Sequence, residues 1–125
     1  MTGPAVETIG SIRAGLGEGP VWDNERHLLL WIDIRLCRIY NTDIRTAVTT
    51  FCDLPGSPGS LALTREGEVL LAVNQELLVL SKNSEPRRLA ALPTSALGQF
   101  NDGKPDAAGR FWVGTATADG HFDCC

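Results

Sequence analysis

The chain reads as all-β, a partial β-propeller of about two and a half blades, and three observations predict it. Short apolar runs bounded by turn-forming residues follow one another along almost the whole length. No window has the length and 3.6-residue period of an amphipathic helix, the best candidate being only residues 93–97. A glycine-led pattern also recurs. Gly19-Pro-Val-Trp-Asp leads to residues 30–33 (LWID), Gly59-Ser-Leu-Ala-Leu to 70–73 (LLAV), and Gly103-Lys-Pro-Asp to 112–115 (WVGT), with the glycines 40 and then 44 residues apart. About four strands fit each complete round, and a four-stranded unit at that period is the mark of propeller blades. An antiparallel sandwich is the alternative, and it gives no reason for the period.

Taken in order, residues 6–12 alternate like a strand and precede the first round, as does the leading strand that completes the last blade in many propellers. Residues 28–32 (LLLWI) are apolar and short, as expected of a strand covered on both faces. Strands at 36–40 and 47–51 follow, divided by a turn at Asn41-Thr42-Asp43. The run 55–59 (PGSPG) breaks the chain. Residues 60–63, 69–73, 77–80 and 87–91 then repeat the rhythm, with turns at Glu66-Gly67 and Lys82-Asn83-Ser84. A third round opens at Asn101, and Ala107-Ala108-Gly109 turns into a strand over 111–115. A propeller needs at least four blades to close, so residues 1–125 are expected to be the N-terminal portion of a longer propeller domain, with open sheet edges.

Bulk properties narrow the function. The 125 residues give room for about one domain, and 43% hydrophobic residues are ample for its core. A net charge of -4 and a pI near 5.0 argue against a nucleic-acid or membrane-surface partner, and the longest positive run is only Arg87-Arg88. The longest apolar run falls far short of the ~20 residues that cross a bilayer. Cys37, Cys52, Cys124 and Cys125 have no zinc-ligand spacing and form no disulfide framework, which points to a reducing, cytoplasmic setting. The first residues lack the basic-then-apolar order of a signal peptide.

The candidate site residues are Glu18 and Asn101, each expected just before the innermost strand of its blade, where loops project into one mouth of the channel. Glu18 offers a hard carboxylate oxygen, and Asn101 an amide that ligates or hydrogen-bonds. The pair suits calcium, magnesium or manganese better than a sulfur-seeking metal, although calcium takes six to eight oxygens. A loop glutamate that merely solvates a glycine-rich turn is the plainer reading of Glu18, and a turn is the plainer reading of Asp102-Gly103. The run 15–20 (GLGEGP) is not a phosphate loop, since it lacks the GxGxxG order and leads into a strand. His27 reads as exposed, His121 lies in an uninformative tail, and no nucleophile elbow is present. Trp22, Trp31 and Trp112 read as core residues, and the charged runs 66–68 and 85–88 as solvated edges.

LGEGPVWD (16–23), LLWIDI (29–34) and FNDGKPDAAGRFWVGT (100–115) together resemble the SMP-30/gluconolactonase/regucalcin-like family, over a stretch from about Ile9 to Thr115. The resemblance implies a six-bladed propeller holding one divalent cation (calcium, zinc, manganese or magnesium) in its channel, and hydrolysis of a sugar lactone. Glu18 matches the family's metal-ligating glutamate and Asn101 the asparagine on the substrate and water side. Gln99 stands where the family often has a substrate-contacting arginine. The remaining ligands and the general base belong to later blades, so none of these residues is expected to be the base, and the chain alone is expected to be inactive. A calcium-binding regulatory protein of the regucalcin kind, without required turnover, is the second reading; a non-catalytic propeller scaffold is the third, disfavoured by the bare Glu18 and Asn101.

Overall fold

A computed structural model of the chain describes residues 3–117. Among them are ten strands and no helix: β1 (Gly17–Asp23), β2 (Leu28–Asp33), β3 (Arg38–Asp43), β4 (Val48–Asp53), β5 (Pro58–Leu63), β6 (Val69–Val73), β7 (Glu76–Leu80), β8 (Arg87–Ala91), β9 (Gln99–Pro105) and β10 (Phe111–Ala116). They form two four-stranded sheets, β1-β2-β3-β4 and β5-β6-β7-β8, and the pair β9-β10, every neighbour antiparallel. These are two blades and half of a third. The first strands of successive sheets lie beside one another, β5 packing against both β1 and β9.

Blade 1 is built on a ten-residue beat. Strands β1 to β4 end at Asp23, Asp33, Asp43 and Asp53, and the turns between them occupy residues 24–27, 34–37 and 44–47. Each turn closes with a residue in the left-handed region, His27 (φ 57), Cys37 (φ 53) and Ala47 (φ 57). The carboxylates make the turns. Asp23 Oδ1 accepts from the Glu25 and Arg26 amides, Asp33 Oδ1 from those of Arg35 and Leu36, and Asp43 Oδ1 from that of Arg45. A short acidic side chain that bonds the backbone two or three residues on is a turn nucleus. The expected turn at 41–43 is therefore displaced: these residues are the end of β3, Thr42 is buried, and the chain reverses at 44–47.

The core lies between blades 1 and 2. Leu30, Ile32, Ile39, Leu54, Leu61, Leu71, Val73 and Leu78 form one cluster, with Ile32 and Leu71 fully buried. Leu30 and Ile32 share the inner face of β2 and are buried, while Leu29 and Trp31 on the other face are only half-buried, so this strand is deeply buried on one face rather than two. Polar contacts join the blades. Arg26 Nη2 donates to the Gly67 carbonyl at 2.9 Å, and Ser57 Oγ donates to that of Ile34 at 3.2 Å. From blade 2 to blade 3, the Phe100 amide donates to the Asn74 carbonyl at 2.7 Å.

Several expectations are corrected. Residues 6–12 form no strand; they cross the face of blade 1, where Ile9 and Ile12 border a cavity of about 210 Å³ with Leu29, Trp31 and Ile44. The segment lies over side chains and not along a sheet edge. The break at 55–59 is shorter than its composition suggests, since Pro58 already opens β5. Trp22 and Trp112 are 43% and 62% exposed and belong to no core, whereas half-buried Trp31 stacks on buried Tyr40 at 4.0 Å. Glu68 is half-buried and accepts a hydrogen bond from the Ser81 hydroxyl rather than facing solvent alone. His27 is exposed as expected, and Cys37 and Cys52 are free thiols. His121, Cys124 and Cys125 lie outside the described residues.

Candidate functional site

Glu18 lies within β1, not before it, opposite Ile32 on β2. The ladder slips between Glu18 and Val21, and Gly19 adopts φ +56, so the strand bulges just past the carboxylate. Gly17 sits against the Trp31 ring, where an added Cβ would stand 3.4 Å from Cζ3. The Glu18 side chain is exposed and makes no hydrogen bond or ion pair among the described residues. Its backbone is held in the β1–β2 ladder and by the loop that leads into it.

That loop is held by Asp33, a residue the sequence did not single out. The carboxylate is fully buried and accepts from the Gly15 amide at 2.7 Å and the Leu16 amide at 3.1 Å, besides its two bonds within the β2–β3 turn. The Ile34 amide returns a bond to the Leu16 carbonyl at 3.0 Å. Burial by itself pushes the Asp33 carboxyl up, but four amide N–H bonds outweigh it and hold it below the ordinary 3.8. The same bonds explain why the glycine-rich loop is no anion cradle: the amides of residues 15 and 16 already face a carboxylate.

Gln99 and Asn101 come together at the start of β9. With Phe100 turned into the core between them, alternation puts both amides on the other face of the strand. Asn101 also stands inside its strand rather than ahead of it, and Asp102-Gly103 continue that strand and form no turn. Together with Asn74, Gln75 and Glu76 of the β6–β7 hairpin, they border a cleft of about 590 Å³ between blades 2 and 3. Neither amide side chain has a hydrogen-bond partner among the described residues. Glu18 does not border this cleft.

The hairpin residues line the cleft, and sequence reading passed over them. Asn74 takes φ +51, and its Oδ1 accepts from the Ser57 amide at 3.0 Å. Gln75 Nε2 donates to the carbonyls of Ala96 at 3.3 Å and Gly98 at 2.6 Å, tying down the loop that enters β9. Glu76 is engaged by Arg88 at 3.0 Å. The available signal was an Asn-Gln pair between two apolar runs, since Asn tolerates the left-handed conformation a tight hairpin needs.

As a donor set for a cation, Glu18 fits one position only. No group of three or more His, Cys, Asp or Glu side chains converges among the described residues. A hard divalent ion surrounded by six to eight oxygens needs more than one carboxylate.

The family model described as the SMP-30/gluconolactonase/LRE-like region matches residues 16–123, running past Thr115 where the recognisable motifs end. The chain is 36% identical over 102 residues to a 6-deoxy-6-sulfogluconolactonase of Pseudomonas putida, covering 80% of this chain and 35% of that protein. It is 31% identical over 117 residues to regucalcin of Gallus gallus, covering 92% and 39%. The chain thus spans less than half the length of these relatives. Among solved structures, a calcium-binding regucalcin from Agrobacterium tumefaciens superposes with a TM-score of 0.77 at 24% identity, over 85% of this chain and 37% of that one. A luciferin-regenerating enzyme superposes with a TM-score of 0.77 at 23% identity, over 85% and 38%. At these identities the structural matches speak for the propeller fold.

Proposed function

Since the chain belongs to the SMP-30/gluconolactonase/LRE-like family, we propose that it supplies the first blades of a propeller that hydrolyses a sugar lactone. In this reading Glu18 is one oxygen ligand of a divalent cation, and Gln99 and Asn101 are polar contacts for the lactone. The observation that carries it is the pair of unpartnered amides on one face of β9 at a cleft. An amide both donates and accepts, which suits a substrate carrying hydroxyls, a ring oxygen and a carbonyl. A metal bound by Glu18 and further ligands would supply Lewis-acid polarisation of the ester carbonyl.

The chain's own residues would bind and orient. Gln99 and Asn101 would fix the lactone, with Gln75 and Asn74 holding the backbone beneath them. Hydrolysis also needs a base for the attacking water. Among the described residues the cleft's only carboxylate, Glu76, is paired with Arg88. In this reading the base comes from residues beyond those described.

The test is a chimera in which residues 16–117 replace the matching segment of the Pseudomonas putida lactonase, assayed on 6-deoxy-6-sulfogluconolactone with and without chelator. Chelator-sensitive turnover that falls at least 100-fold in Glu18→Gln is the expected result. A folded but inactive chimera would overturn the reading. Calcium binding without turnover would favour the second reading, a calcium-binding regulatory role, which the similarity to Gallus gallus regucalcin supports. Chelator-sensitive hydrolysis by the isolated chain would refute the assignment of the base to other residues.

A further inference from the structure

The link between blades 1 and 2 does more than connect them. Ser57, just ahead of β5, uses its hydroxyl, its amide and its carbonyl. The hydroxyl donates to the Ile34 carbonyl of blade 1 at 3.2 Å. The amide donates to Asn74 Oδ1 at 3.0 Å, and the carbonyl accepts from the Asn74 amide at 2.9 Å. The Asn74 side chain lies across Gly56, where an added Cβ would stand 2.6 Å from Asn74 Cγ and 2.8 Å from Oδ1. Asparagine suits this place because it tolerates the left-handed region, here φ 51, and its amide oxygen can bond backbone. Held so, Asn74 presents its carbonyl to the Phe100 amide at 2.7 Å. Phe100 is buried between Gln99 and Asn101, the two amides at the cleft. Gly56 and Ser57 do not border that cleft themselves.

We propose that Gly56 and Ser57 are positioning residues of the cleft: they lock Asn74 in its left-handed turn, and Asn74 sets the backbone from which Gln99 and Asn101 reach a ligand. This rests on the cleft being where the lactone binds. Gln75 secures the loop ahead of β9 through the Ala96 and Gly98 carbonyls. The Asn74 bond secures the strand itself, at the residue between the two amides. Groups that orient a ligand must be held to within about 0.5 Å. Since Ser57 is tied in turn to Ile34, the geometry of a cleft between blades 2 and 3 depends on blade 1 as well.

Two readouts test this. In the full chain, labelled for NMR, amide exchange at Phe100 reads the lock. Gly56→Ala pushes the Asn74 side chain off Ser57, and Asn74→Ala removes the acceptor oxygen. In both, exchange at Phe100 should accelerate about 10-fold or more while Ile32 and Leu71 stay protected. Asn74→Asp keeps an acceptor oxygen and should retain the protection. In the lactonase chimera, Gly56→Ala alters no group at the cleft, yet KM for the lactone should rise about 3–10-fold with kcat within about two-fold. Unchanged exchange at Phe100 in Gly56→Ala and Asn74→Ala would overturn the lock, as would an equal loss of protection in Asn74→Asp. Faster exchange with an unaltered KM, or a fall in kcat alone, would overturn the positioning role. A chimera inactive before any of these substitutions would overturn the lactone reading, and the exchange data would show that this premise, not the lock, had failed. If Gly56→Ala does not fold, Ser57→Ala takes its place. It removes only the hydroxyl bond to Ile34, so a smaller rise in KM is expected, reversed in Ser57→Thr; no rise would overturn the role.

Discussion

Gly59 lies directly against the backbone of Asn101: an added Cβ would stand 2.8 Å from the Asn101 Cα and carbonyl oxygen and 2.5 Å from the Phe100 carbonyl oxygen. The innermost strands of blades 2 and 3 touch main chain to main chain at the candidate substrate residue. Gly59→Ala cannot be absorbed by a rotamer change, because the obstructing atoms are backbone. Overpacking of this kind costs about 1–3 kcal/mol, a drop of roughly 4–12 °C in Tm. Gly114→Ala, whose Cβ would meet nothing closer than 3.9 Å, should melt like wild type. Equal melting of both variants would show that the strands do not approach as described.

Gln75 should matter more to the site than to the fold. Gln75→Ala removes the donor to the Ala96 and Gly98 carbonyls, a loss of about 1 kcal/mol. In the chimera, the expected outcome is a several-fold rise in KM for lactone with kcat nearly unchanged, because Gln99 and Asn101 lose part of their support. A fall in kcat at constant KM would contradict this.

Trp31 combines a stack on Tyr40 (4.0 Å, 6° between ring planes) with a 3.0 Å hydrogen bond from Nε1 to Thr42 Oγ1. Trp31→Phe keeps the stack and drops the bond, so it should cost about 1 kcal/mol. Trp31→Ala loses the ring as well and should cost about 3–5 kcal/mol. Urea unfolding of both variants checks the order. Identical losses would mean that the ring contributes nothing beyond its N–H.

Asp106 gives the pH prediction. The Trp112 indole N–H first, then the Arg110 amide and guanidinium, hold its carboxyl at about 2, below the ordinary 3.8. A depressed carboxylate contributes its stabilisation above the ordinary carboxylate pKa and loses it as pH falls through the folded value. The Trp112 indole resonance should therefore hold above pH 4 and move with a midpoint near 2, and Asp106→Asn should abolish that titration. A midpoint near 4 would show that the indole bond does not form.

Much of this was legible because it is local. Residues 69–73 and 87–91 read as strands and are β6 and β8, since β-rich apolar runs between turn residues need no tertiary help to be seen. Asn101 was found for the same reason, by its place at the head of a repeat, whereas Gln99 came only from the family resemblance. The Asn41-Thr42-Asp43 reading failed because turn-forming residues also end strands, and only the Asp43 bond to the Arg45 amide reveals where the chain reverses. Trp22 and Trp112 were assigned to the core by residue type, yet each sits on the strand face turned away from it.

By itself, then, the sequence determined an all-β chain and its blade period, and pointed to Glu18 and Asn101 as polar residues at innermost strands, because alternation and turn chemistry act within a few residues. The tertiary structure alone decided which of the candidate residues meet: Gln99 and Asn101 share a cleft with the β6–β7 hairpin, and Glu18 stands apart from it. It alone revealed Asp33, whose role depends on amides 17 and 18 residues away. Such a bond leaves no periodic trace, since a carboxylate at the end of a strand looks the same in sequence whether it serves its own turn or another loop.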